Sequence, residues 1–223
     1  MLFATLTDFY TPPMVIPNIA GRVPALTTFL DGAEVEGLKE LLGLQFYDEL
    51  VVGIAALPSA WAIATAYITG NTVVYGNRIY TALVNSTGVM PSSDVATWGA
   101  STNKWLSLKV GDNFLVYGKT QRWAGMSTVS VPLIVAKYLK YFNGSVTSAG
   151  AAKKQVENAI EIDMSHKYVI VYNKYVEAVN NMRLHFYATT NFDSFAQSLG
   201  YTDFDNYIGE QGKGVRKINS FGI

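Results

Sequence analysis

Ala66-Tyr67-Ile68-Thr69-Gly70-Asn71-Thr72-Val73-Val74-Tyr75-Gly76-Asn77-Arg78-Ile79-Tyr80-Thr81-Ala82 is the stretch whose reading decides the fold. Val, Tyr and Thr crowd its runs, and Gly70-Asn71 and Gly76-Asn77 interrupt them with residues that tolerate left-handed turns. The spacing predicts a strand near 73–75, a tight turn at 76–77 and a strand over 78–84. Ser86-Thr87-Gly88 and Pro91-Ser92-Ser93 then read as loops, and another strand is expected around 104–110. Upstream, Trp61, Ile63, Thr65 and Tyr67 alternate with Ala62, Ala64 and Ala66 at strand period. Residues 59–112 are therefore expected to form a small β module.

Helical periodicity lies on both sides of it. Residues 1–30, with Pro12, Pro13, Pro17 and Pro24, read as an extended N-terminal arm. A helix is expected from Asp31, with Asp31 as its cap and Glu34 and Glu36 suiting the positive end of the helix dipole. Leu38, Leu41, Leu42, Phe46 and Leu50 repeat along it; Gly43 weakens it, and Gly53 with Pro58 ends it. After Gly111 the helical period returns: Val131, Ile134, Val135, Tyr138 and Phe142 share a face, with Pro132 in a first turn, and Asn143-Gly144 stops the run. A second block, Lys153–Ile160, and a long tract from about 165 to 187 follow, the latter with Val169, Tyr172, Val176, Val179 and Arg183 on one face. Asp193 is expected to cap a short element, and 209–223 reads as a flexible tail. The fold class is thus mainly α with an inserted small β domain, α+β overall: helical parts at 31–58 and 113–208 around a module at 59–112.

Composition narrows the chemistry. The 223 residues include 49% hydrophobic and 15% charged side chains, with 17 bases balancing 17 acids. That is enough to bury a core, and it lacks the surplus of cations that coating nucleic acid requires. With no cysteine, thiolate sites and disulfides are excluded. The two histidines, His166 and His185, are nineteen positions apart and share no HExxH spacing. Each reads as a surface or packing residue. No nucleophile elbow, phosphate loop or dinucleotide fingerprint occurs. A carboxylate pair for glycoside cleavage stays open, since such residues meet only in the fold. The chain reads as a non-enzyme, with no catalytic residue, metal or cofactor. The start does not read as a signal peptide, and the uncharged run from Leu50 to Asn77 is broken by Gly53, Pro58 and Gly70, against a membrane span. Charge is polarised: residues 1–60 hold seven acids and two bases (net −5), and residues 113–223 eight acids and twelve bases (net +4). This is either a solvated surface pattern or a head-to-tail interface between copies.

Trp61, Tyr67, Tyr75, Tyr80, Trp98 and Trp105 concentrate in the β module. They are either the core of a domain too small for an aliphatic one or a platform on which sugar rings stack. The order Trp61…Tyr67…Gly70-Asn71-Thr72-Val73…Tyr75-Gly76…Tyr80-Thr81-Ala82…Gly88…Pro91…Trp98 resembles the type-3 chitin-binding modules. The resemblance implies a compact aromatic β module, with Trp61, Tyr75, Tyr80, Trp98 and Trp105 as candidate glycan contacts. Such modules also decorate phage virion proteins.

The flanks carry a second resemblance. Leu41-Leu42-Gly43 with Tyr47 and Leu50, Trp123-Ala124-Gly125, Tyr138 with Tyr141, Thr147 with Gly150, Glu157-Asn158 and Tyr172-Asn173 follow in an order similar to that of head–tail connector (neck adaptor) proteins of tailed bacteriophages. The resemblance implies a structural virion protein at the head–tail interface, present in the host cytoplasm during assembly. It implies a homo-oligomeric ring of about twelve copies. The portal ring and a tail or second neck protein would be its partners, and DNA would pass through its channel without sequence-specific binding. Lys213, Arg216, Lys217, Phe221 and Ile223 are the expected partner-docking tail. The alternative from another class is a carbohydrate-binding adhesion or decoration protein acting through the aromatic module.

Overall fold

The computed structural model describes residues 1–10, 12, 14, 16, 23–144, 164–211 and 215–218, with side chains for all but 23–25, 142–144 and 164–166. A 3-10 turn (Leu6–Phe9) precedes α1 (Val23–Leu42) and α2 (Leu44–Ala55). Then come β1 (Ala66–Tyr67), β2 (Thr72–Tyr75), β3 (Arg78–Ala82), β4 (Ser86–Thr87), β5 (Trp98–Ser101), α3 (Lys104–Val110), β6 (Asp112–Val116) and β7 (Lys119–Trp123). The chain ends with α4 (Ser127–Gly144), α5 (Met164–Thr189), α6 (Asp193–Ser198) and α7 (Phe204–Gln211). The fold is α+β. It divides into a helical unit, Met1–Leu44 with Ser127–Ile223, and a second unit, Gln45–Met126.

In the helical unit α4 packs against both α1 and α5. Leu30 and Ala33 of α1, Ile134, Val135 and Leu139 of α4 and Val171 of α5 form one core with Phe9. A second, aromatic core joins α5 to α6 and α7: Phe186 meets Phe204 edge-on at 4.6 Å, and Phe192 lies 5.3 Å from Phe204. Aromatic edge-to-face pairs contribute about 0.5–1.5 kcal/mol beyond burial. The buried face of α5 runs Val171, Tyr175, Val176, Val179, Met182, Phe186; it keeps the expected Val176 and Val179 and leaves Val169, Tyr172 and Arg183 half-buried.

Several expectations for this unit are corrected. Residues 23–30 are helical, so the arm is shorter than 1–30, and Asp31 lies inside α1, where it pairs with the Met1 amine instead of capping a helix. Pro24 fits because the first helical turn needs no N–H from it. Glu34 also lies mid-helix. Pro132 sits inside α4, which starts at Ser127. The N-cap of α6 is Phe192; Asp193 instead accepts the Phe204 N–H at 2.9 Å. Residues 209–211 belong to α7, so the tail begins later than 209. The block at 153–160 lies outside the described residues.

The second unit is larger than 59–112. It takes in α2, whose Phe46 ring lies 6.1 Å from that of Trp105, and the antiparallel hairpin β6–β7, where a helical region had been expected from 113. The Gly76-Asn77 turn joins β2 to β3 as predicted, with Val73 opposite Tyr80. The third strand of that sheet is β5, with Trp98 opposite Ala82. Residues 104–110 are α3, not a strand: the Asn103 side chain accepts the N–H groups of Trp105 and Leu106 at 2.9 and 3.1 Å and starts the helix. Of the alternating run 61–67, only Ala66–Tyr67 is a strand, paired with β4. Gly125 has φ +89, and a Cβ there would stand 2.5 Å from the Lys109 carbonyl oxygen, so only glycine lets the chain leaving β7 pass α3.

Two helical glycines separate space from propensity. A Cβ at Gly53 in α2 would fall 2.3 Å from Trp105 ring atoms, whereas at Gly32 in α1 nothing lies within 4 Å. Gly32→Ala should raise stability by about 0.5–1 kcal/mol. Gly53→Ala should lower it by about 1–3 kcal/mol despite the same gain in helix propensity. Calorimetric unfolding of the two variants checks the opposite signs.

Candidate functional site

The aromatic residues of the second unit divide by what they touch. Trp98 is 2% exposed: Tyr67 packs on it edge-on at 5.4 Å, and its indole N–H donates to the Val89 carbonyl at 3.1 Å. Tyr80 is buried in the same cluster, with Val73 and Ala82. Trp61 and Tyr75 are half-buried and meet edge-on at 5.6 Å, and the Tyr75 hydroxyl reaches the Met90 sulfur at 3.0 Å. Trp105 stands apart in α3, half-buried against Phe46, with the Lys104 ammonium 5.0 Å above its ring. Sugar stacking needs an exposed ring face. Trp98 and Tyr80 offer none, which corrects their assignment as glycan contacts. The structure brings Trp61, Tyr75, Tyr80 and Trp98 together as the core of a small sheet and does not bring Trp105 to them.

The helical unit holds the more developed binding geometry. On α1, Glu34 is 1% exposed, and its carboxylate accepts the backbone N–H groups of Leu2, Phe3 and Ala4, the latter two at 3.1 Å each. It also accepts the Ser130 hydroxyl of α4 at 2.8 Å. On α5, Asn173 pairs with both main-chain groups of Ile218: its amide donates to the carbonyl at 2.8 Å and its oxygen accepts the N–H at 2.9 Å. One turn on, Glu177 takes the Lys217 ammonium at 2.6 Å. Val215 of the same segment lines a cavity of about 300 Å³ with Tyr168, Tyr172 and Tyr175 of α5 and Lys137 of α4. Lys137 is held 3.1 Å from Glu40 of α1. Beyond it, an open groove of about 900 Å³ runs between α1 and α4, lined by Phe29, Gly32, Glu36 and Tyr141.

Of the expected docking tail, Lys217 is paired with Glu177 of α5 and Arg216 is exposed beside it. Lys213, Phe221 and Ile223 lie outside the described residues. The sequence reading missed Glu34 as a main-chain acceptor and Glu177 and the three tyrosines as a groove. Asn173 was visible only as part of the Tyr172-Asn173 motif. His185 is fully buried in α5, a packing position; the His166 side chain lies outside the described residues. Among the described residues no three acidic or histidine side chains converge to hold a metal, and no helix is long and apolar enough to cross a membrane. No family model, curated protein or solved structure matches the chain.

Burial, with the neighbouring Tyr172 and Glu40, pushes the Tyr175 phenol well above its ordinary value; burial, then Tyr172, pushes Tyr168 up as well. A folded chain that keeps a proton the unfolded chain releases near pH 10 is stabilised fully below that pH and loses the contribution as pH rises further. Unfolding free energy should therefore fall above about pH 10, with up to ~1.4 kcal/mol per pH unit from Tyr175. Tyr175→Phe should flatten that alkaline limb while leaving the curve near pH 7 in place, as denaturant titrations across pH 8–12 would show.

Proposed function

We propose that this chain is a structural virion protein of a tailed bacteriophage, a head–tail connector that assembles as a ring between portal and tail. The observation that carries the reading is where the residues behind the connector resemblance sit. Trp123 is fully buried in the second unit. Tyr138 and Tyr141 of α4 pack on Phe29 of α1 at 6.1 and 5.3 Å. Tyr172 lines the α5 groove and Asn173 grips the 215–218 segment. Those among the described residues are buried, pack on a neighbouring ring, line a groove or hold main chain. A motif of that kind suits a protein that binds protein, whereas an enzyme gathers its motif residues around a cleft where reacting groups converge.

Further support comes from the shape of the concave surfaces. The groove of about 900 Å³ in the helical unit is an open trough between α1 and α4 with mixed charge and exposed aromatic surface at Tyr141, 61% exposed. Such a surface suits a neighbouring protein better than a small ligand, which is usually enclosed. On this reading the second unit is a decoration whose aromatics hold it together. Burial of Trp98 and Tyr80 weighs against the carbohydrate-binding alternative.

Quantitative mass spectrometry of purified virions tests the proposal. The expected outcome is a fixed copy number, at roughly one chain per portal subunit, as rings sharing one axis allow. Absence from virions, or a copy number many times that of the portal, would overturn it.

A further inference from the structure

We infer that the cavity between α4 and α5 binds a small aromatic monocarboxylate, a site that the connector reading does not require. At about 300 Å³ the cavity lies at the lower end of the range for small-molecule sites, ~300–1,000 Å³. Tyr168, Tyr172 and Tyr175 follow one another along α5 and form a wall of rings. Tyr168 and Tyr172 are 5.7 Å apart and close to parallel, and Tyr172 and Tyr175 are 5.9 Å apart. Leu41 of α1 and Leu133 of α4 add apolar surface. A flat aromatic body packs offset or edge-on against such rings.

Tyr175 is the observation that points to a ligand. Its side chain lines the cavity and is 6% exposed, yet its hydroxyl has no hydrogen-bond partner among the described residues. Buried polar groups in native proteins are almost always paired, so an orphan hydroxyl facing a cavity marks a place for an acceptor. Burial, with Tyr172 and Glu40 beside it, keeps the phenol protonated far above neutral pH, and it offers an O–H there. The charges around the cavity set the sign of the ligand. Lys137 is held by Glu40 at 3.1 Å and by Glu36 at 3.9 Å. Lys140 lines the same cavity, is exposed, and has no carboxylate partner among the described residues. One protonated phenol and one unpaired ammonium match a single carboxylate, whose hydrogen bonds to them are charge-assisted. A cationic ligand would meet Lys140 with Glu40 already engaged, and a dianion would meet Glu40 with one free cation to offset it.

Calorimetric titration of the full chain at neutral pH with 4-nitrobenzoate, set against its uncharged analogue 4-nitrobenzamide, tests the site. The expected result is saturable one-site binding of the carboxylate with a Kd of about 1 mM or tighter, and binding of the amide weaker by about fivefold or more. Tyr175→Phe removes only the orphan hydroxyl, and Lys140→Gln removes only an exposed charge. Each should weaken carboxylate binding by about five- to tenfold, the effect of one lost hydrogen bond. Lys109→Gln, at an exposed position of the second unit, should leave it unchanged. Circular dichroism reports whether the variants fold, and Lys140→Gln carries the comparison should Tyr175→Phe disturb packing. No saturable binding, equal binding of the amide, or carboxylate binding left unchanged in either folded variant overturns the inference.

Discussion

Glu34 lies in the middle of α1 with almost none of its surface exposed, and a carboxylate in that position is tolerable only because four donors surround it. A buried polar group left unpaired costs several kcal/mol, more if charged, and each hydrogen bond to a charged group contributes about 1.5–3 kcal/mol. Three of the donors are consecutive backbone N–H groups that would otherwise need a strand partner. The fourth, Ser130, ties α1 to α4. One side chain therefore fixes where residues 2–4 run, how α4 sits on α1, and so where the core formed by Leu30, Ile134 and Val171 can close.

The two described ends of the helical unit are held by the same logic. Glu34 reads a run of N–H donors, and Asn173 reads the donor and acceptor of a single residue. Both interactions recognise main chain, which makes the helices receptors for extended segments.

What the sequence made legible was whatever is decided locally. Gly76-Asn77 can only be a tight turn between its two β-rich flanks, and the hairpin is where it was expected. The runs of apolar residues at helical spacing over 131–142 and 169–183 announced α4 and α5. The misses have identifiable causes. Lys104–Val110 alternates Leu106 and Leu108 with Ser107 and Lys109 and so imitates a strand; Asn103, a strong N-cap residue, was the overlooked signal. The prolines before Val23 suggested an arm throughout, although Pro24 belongs in a first helical turn. Glu34 was read only as a helix-dipole residue; its role as a buried acceptor gave no signal, because its four partners come from residues 30 or more positions away. Core and ligand platform both stayed open for Trp98 in the sequence, because burial against Tyr67 is a property of the folded sheet and cannot be read from aromatic spacing.

The central claim is that a side chain of α1 holds the first residues in place, and amide hydrogen exchange at Leu2, Phe3 and Ala4 tests it most directly. Donors locked on a buried carboxylate exchange only when the helical unit opens, so the account predicts slowing by at least ~100-fold relative to an unstructured peptide. Exchange of these three amides at unstructured rates, with α4 still protected, would contradict it.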